Sequence, residues 1–225
     1  MAASEFFSCN VTNNSPVWGT TDLLYWKLWP KKYGGGGHYL QAFKDGWVRH
    51  NKEFILSTAA IYRLPPPLLA GVCWIEVGGD PNFIDRVAFE ARTLDWSGPE
   101  WIDRHLTITS VPGKTSFGAV SMQLRTAAET MGLDLKKMRT SQMRELANCL
   151  QMDVFNIDIV GKHLLQIARR DGFQEALPNL SEEQIKIIGA RYNRGVGLSI
   201  NQIKKDTSYG DFILKFWLRL RALLI

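Results

Sequence analysis

Cysteine and histidine are both scarce in this chain of 225 residues. The three cysteines, Cys9, Cys73 and Cys149, lie far apart and form no CxxC pair. An odd count without close spacing argues against a disulfide framework and against a zinc site, and favours synthesis in a reducing compartment. The four histidines, His38, His50, His105 and His163, show no ligand spacing, so neither a metal nor another cofactor is expected. Long apolar runs are missing as well, and no stretch reaches the roughly 20 residues that a membrane span needs. The first residues, Met1 to Phe7, lack both a basic region and an apolar core. No cleavable signal is therefore expected, and a substrate outside the cytoplasm would need another route of delivery. No Lys-Ser/Thr follows the glycine run Gly34 to Gly37, which excludes a P-loop. No serine or cysteine nucleophile motif, internal repeat or low-complexity tract is present.

What is there is ordinary globular material, 45% hydrophobic and 22% charged. A net charge of +5 and a pI near 9.1 favour anionic partners such as nucleic acid, anionic lipid or acidic wall polymers. The basic residues are scattered rather than grouped with aromatics, which ranks nucleic acid last. Residues 1–44 read as a partly irregular N-terminal extension, rich in Asn, Thr and Gly, with the four glycines as a flexible turn. Residues 45–225 read as one helical domain. From Asp45 the apolar residues Val48, Phe54, Ile55, Ala59 and Tyr62 recur at near-helical spacing until Pro65-Pro66-Pro67. Leu68 to Val77 is a short helix, apolar on every side, ended by Gly78-Gly79, and it should be buried at the centre. Further helices are expected over about 117–131, 140–151, 153–170, 181–194 and 210–223. Ser181 and Gln184 form a capping box. Asp95 to Ser116 is rich in Gly, Pro, Thr and Ser, with a β-prone run Leu106 to Thr109. The expected fold class is mainly α, around a central buried helix, with one small irregular or hairpin region. The C-terminal stretch from Phe212 carries Lys215, Arg219 and Arg221 on an apolar helix. It could lie on a membrane surface, but packing onto the domain with snorkelling basic tips is the favoured reading.

The chemical anomaly is Glu76, the one ionisable carboxyl in the apolar helix. At helical spacing it sits above Val72 and Cys73, and an apolar setting raises a carboxyl's pKa. That is what a general acid needs, although a glutamate at a helix end can also simply reach solvent.

Three segments bear on the choice. Leu69 to Pro81, with Trp74-Ile75-Glu76-Val77-Gly78-Gly79 at its heart, resembles the opening catalytic motif of soluble lytic transglycosylases and goose-type lysozymes. Ser116-Phe117-Gly118-Ala119-Val120-Ser121-Met122-Gln123 is similar to the second motif of that family, and Ala190-Arg191-Tyr192-Asn193-Arg194-Gly195 to the third. They stand in the family's order over roughly residues 50–200. Val120-Ser121 replaces the usual Gly-Leu, the second segment is one residue shorter, and Gly78 replaces a common Ser. These departures touch subsite specificity more than reaction class.

The resemblance implies a lysozyme-like α+β fold. It also implies cleavage of peptidoglycan at the MurNAc-GlcNAc β-1,4 bond, with Glu76 as general acid and peptidoglycan glycan strands as the partner. Gln123 and Tyr192 would line the cleft, and Ser116 would take part in binding substrate. Tyr192 would touch substrate or orient Glu76, and Asn193 would hold a turn or meet an N-acetyl group. A buried ring capping the helix end is the bland alternative for Tyr192 and Asn193. Met122 is expected in the core. A second carboxylate would come from Asp85, Glu90, Asp95 or Asp103, with Asp95 the first choice; a lytic transglycosylase would dispense with it. Trp96 and Trp101 would build subsites or core. An antibacterial effector acting in the periplasm or cell wall, delivered by a secretion system, fits slightly better than a phage endolysin. An effector brings an immunity or inhibitor protein as a second partner. The rival from another class is a non-catalytic lysozyme-like module that binds glycan or serves in a phage structure.

Overall fold

A computed structural model describes Phe7, Cys9, residues 15–78 and residues 116–225. These are mainly helical, with one two-stranded antiparallel sheet. The chain divides into two compact units, Met1–Phe43 with Val77–Asn156, and Lys44–Glu76 with Ile157–Ile225. The expectations on Asp85, Glu90, Asp95, Asp103, Trp96, Trp101 and the β-prone run from Leu106 lie outside the described residues.

In the first unit, the stretch expected to be irregular contains helix α1 (Thr20–Lys27) and the opening of α2 (Gly37–His50). Asp22 explains much of this order. Its carboxylate accepts from the Gly19 amide at 2.8 Å, which caps α1, and from the Tyr39 hydroxyl at 2.7 Å, which ties α1 to α2. The glycine run makes a tight connection rather than a loose one, because Gly34 and Gly36 take the left-handed φ values of 90° and 73°.

The helix expected from residue 117 starts only at Leu124. Before it stands a hairpin, β1 (Ser116–Phe117) with β2 (Met122–Gln123), in the register Ser116 to Gln123 and Phe117 to Met122. Two left-handed residues, Gly118 and Ser121, break any helix there. A Cβ on Gly118 would run into the Asn156 amide nitrogen and the Leu150 carbonyl. Asn156, fully buried, donates to Phe117 O at 3.0 Å and Leu150 O at 2.8 Å, and so fastens the hairpin to the helices that follow. Those are α5 (Leu124–Thr130), α6 (Thr140–Leu150) and the start of α7 (Asp153–Arg170), the last two matching their sequence bounds closely. Met122 is buried, as expected of a core residue.

One expectation is overturned here. Cys9 and Cys149 form a disulfide. An odd count is satisfied by one bridge plus a third cysteine, and wide separation in sequence is no obstacle once α6 presents Cys149 to the N-terminal stretch. Cys73 is buried in the other unit.

In the second unit the single helix expected to run to Tyr62 is interrupted. α3 (Lys52–Tyr62) begins after Asn51, which leaves helical geometry at ψ 11°. The central helix α4 (Pro66–Glu76) is as apolar and as covered as its sequence implies, with every residue from Pro67 to Trp74 buried. α8 (Glu182–Arg194) opens on the expected capping box. The Ser181 hydroxyl accepts from the Gln184 amide, and the Gln184 side chain accepts from the Ser181 amide at 2.8 Å. A second box at Ser199 and Gln202 starts the short α9 (Ile200–Ile203), which the apolar periodicity does not reveal.

The C-terminal helix is two, α10 (Ser208–Lys215) and α11 (Trp217–Leu223), broken at Phe216. They pack on α4, burying Ile213, Leu220 and Leu223. Gly71 makes room for them, since a Cβ there would stand 2.8 Å from Ile213 and 3.1 Å from Leu220. Arg219 does not snorkel freely. Its guanidinium grips the buried Asp45 carboxylate at 2.6 and 3.2 Å, and Asp45 also accepts from the Trp74 indole at 2.8 Å. No described helix is long and apolar enough to cross a membrane.

Candidate functional site

Glu76 is the last residue of α4 and is only partly exposed. The helix delivers it by apolar packing alone, because Val72 and Cys73, one turn earlier, are fully buried. The next feature is the stop. Gly78 takes φ 68°, a conformation that suits glycine and ends the helical run two residues past the acid.

Two groups that the sequence reading missed complete the setting. The Tyr209 hydroxyl donates to Glu76 Oε1 at 2.7 Å. Lys44, buried on α2, donates its ammonium to the carbonyls of Trp74 at 2.9 Å and Ile75 at 2.6 Å, the last turn of the same helix. Cationic capping of terminal helix carbonyls is favourable, and here it also sets a positive charge beside the acid.

Burial is the largest influence on Glu76 and pushes its pKa above the usual carboxylate range. The Tyr209 hydrogen bond and the Lys44 charge pull in the opposite direction without cancelling it. Lys44 is itself pushed down to about 8 by burial, with Glu76 opposing the fall. Tyr209 and Tyr192 are both held well above the ordinary phenol value, first by burial and then by the Glu76 charge. Both shifts favour the neutral phenol, the form in which Tyr209 donates to Glu76.

Tyr192 stands on α8 with its ring 5.9 Å from that of Tyr209 and 5.9 Å from His163. It borders the Glu76 site through the aromatic pair. His163 is buried, and burial pushes it down to about 4, so it is neutral there. Tyr209 is brought in by a close approach of α8 and α10. Gly189 and Gly210 face each other, and a Cβ on Gly210 would strike the Lys186 backbone. The α8 arginines hold the connection between those helices. Arg191 makes a buried two-pronged pair with Asp171 at 2.7 and 2.8 Å and donates to Leu198 O at 2.8 Å. Arg194 reaches the carbonyls of Gln202, Ile203 and Asp206.

No known protein family, curated protein or solved structure matches this chain.

The remaining expected site residues fall as follows. Asn193 is exposed on the last turn of α8, and Gly195 ends that helix at φ 92°. In the first unit, Ser116 and Gln123 are paired directly across the hairpin, Ser116 partly exposed and Gln123 exposed. Asp95 lies outside the described residues. The structure thus assembles Glu76, Tyr209, Lys44 and Tyr192 in one unit, and pairs Ser116 with Gln123 in the other.

The signals for the two missed groups are weak but physical. Lys44 precedes Asp45-Gly46-Trp47-Val48 on the buried side of α2, where a lone lysine needs acceptors. Tyr209 precedes Gly210, the residue that permits the helix contact. The assembly can hold a proton on a half-buried carboxyl, fix that carboxyl's orientation with a neutral hydroxyl, and compensate its charge once the proton is given up.

Proposed function

We propose that this chain is an enzyme that cleaves the glycan strands of peptidoglycan at the MurNAc-GlcNAc β-1,4 bond, with Glu76 as general acid. The observation that carries the reading is Glu76 itself, a partly buried carboxyl at the end of an apolar helix, raised in pKa and oriented by the Tyr209 hydroxyl. In that state Glu76 gives its proton to the glycosidic oxygen as the bond to the anomeric carbon breaks. Lys44 then offsets the carboxylate charge that develops. A water activated by a second carboxylate, with Asp95 the first choice, would complete hydrolysis. Attack by the muramic sugar's own hydroxyl, its proton returning to Glu76, would instead leave an anhydro end. Tyr192 and Asn193 would border the sugar. The described residues, mainly helical with one small antiparallel hairpin and a central buried helix, suit a lysozyme-like α+β fold. The Cys9–Cys149 disulfide suits action in an oxidising compartment such as the periplasm, as expected of a delivered antibacterial effector that meets an immunity protein there.

The test is incubation of purified protein and a Glu76→Gln variant with sacculi, followed by mass spectrometry of the soluble fragments. Release of muropeptides by the wild type alone is expected, and reducing or anhydro muramic ends then distinguish hydrolase from transglycosylase. Equal solubilisation by both proteins would remove Glu76 from the reaction. Binding without solubilisation by either would point to the non-catalytic module.

A further inference from the structure

The stretch from Val17 to Tyr33 exposes an unusual amount of apolar surface. Val17 and Leu28 are each 74% exposed, Tyr33 is 66% exposed and Trp29 is 49% exposed. A folded surface normally shows such side chains singly, and their grouping within one short segment marks an interaction surface. The segment is also ordered by aromatic contacts of its own. The Tyr25 ring stacks on Tyr39 at 5.3 Å and meets Trp29 at 5.3 Å, while Trp18 packs on Phe43 at 4.7 Å. α1 and the turn after it are thereby held against the start of α2.

The charge of this segment is predominantly positive. Lys31 and Lys32 are exposed on the turn that follows α1, and Lys32 lies 4.8 Å from the Tyr33 ring centroid. Between residues 15 and 43 the single acidic residue is Asp22, and its two oxygens already accept from Gly19 and Tyr39.

We propose that this surface docks the protein on an anionic lipid bilayer. Trp and Tyr settle at the headgroup level, exposed aliphatic side chains enter the acyl boundary, and lysines meet lipid phosphates. A glycan is the poorer match. Sugars stack on open aromatic faces beside carboxylates or amides, whereas here Tyr25 already faces Tyr39, a lysine sits beside Tyr33, and the most exposed contributors are a valine and a leucine. The proposal is independent of the chemistry assigned to Glu76.

Co-sedimentation of the full chain with vesicles tests it, using phosphatidylglycerol with phosphatidylethanolamine against pure phosphatidylcholine. Two double variants are compared, Lys31→Gln with Lys32→Gln, and Val17→Ser with Leu28→Ser, each checked for unchanged circular dichroism and thermal melting. The wild type should partition onto the anionic vesicles and be released by salt. Each lysine removed should weaken partitioning about fivefold, hence about 25-fold for the pair, and the serine pair should weaken it on both lipid types. Absence of binding to anionic vesicles, or equal binding by wild type and both variants, would overturn the proposal. So would variants that keep their vesicle binding but lose sedimentation with purified sacculi, since the surface would then serve the wall polymer.

Discussion

Removal of one hydroxyl, in Tyr209→Phe, tests the electrostatics of the Glu76 site without requiring any substrate. The hydroxyl donates to Glu76 Oε1 at 2.7 Å and favours the charged carboxylate, so its loss must raise the Glu76 pKa further. A hydrogen bond to a charged group contributes about 1.5–3 kcal/mol, and 1.36 kcal/mol corresponds to one pKa unit, so the ceiling is about two units. Glu76 is partly exposed, and water replaces some of the lost donor, which brings the expected rise to about one unit. The assay is a carbon-detected NMR titration of the side-chain carboxyl, assigned by the resonance that disappears in Glu76→Gln. If Glu76 is the general acid, the high-pH limb of sacculus cleavage moves upward by the same amount. An unchanged or lowered pKa in a variant that melts like the wild type would refute the reasoning, because Tyr209 would then not be holding the charged form.

Three other perturbations probe the frame around the site. Lys44 has a folded pKa near 8 against an ordinary 10.5, so its contribution to stability is present above 10.5 and is lost as pH falls through about 8. Urea denaturation should show the wild type gaining up to about 3 kcal/mol on Lys44→Met between pH 7 and 10.5; parallel curves would show that burial does not depress the lysine. Gly210→Ala forces a methyl group onto the Lys186 backbone between α8 and α10, with an expected loss of about 3 kcal/mol in chemical denaturation and a weakened Tyr209–Glu76 bond. Cys149→Ser opens a bridge between residues 140 apart in sequence, and should lower stability by about 2–4 kcal/mol under oxidising conditions while matching the wild type in excess reductant.

The parts of this fold that were legible in the sequence are those where one local rule acts alone. α6, α7 and α8 follow from helical periodicity, and the Ser181 cap follows from a side chain that can only be useful at a helix start. α4 was legible because an apolar helix without a polar face has nowhere to go but inside. The hairpin at Ser116 to Gln123 was hidden because its apolar residues, Phe117, Val120 and Leu124, also satisfy a helical spacing, and only backbone geometry at Gly118 and Ser121 decides against it. The breaks at Asn51 and Phe216 were hidden for the same reason, since a pattern continues across a kink that tertiary packing imposes. Glu76 stood out as a charge among apolar residues. Its partners did not, because Tyr209 is 133 residues away in sequence and Lys44 acts on backbone carbonyls that carry no sequence signature.

The placement of Glu76 at the end of α4 rather than the beginning has a consequence of its own. The last carbonyls of a helix carry partial negative charge, so a carboxylate there is disfavoured, whereas the same group at the N-terminus would be stabilised. Burial and helix polarity therefore act together to retain the proton. Lys44 moderates both, because its ammonium occupies the carbonyls of Trp74 and Ile75 and thereby reduces the very field that raises the acid. Were Lys44 a simple salt-bridge partner of Glu76, it would hold the carboxylate charged and leave no proton to give. Placed on the backbone instead, it leaves burial the dominant influence while keeping a positive charge near enough to receive the carboxylate when it forms.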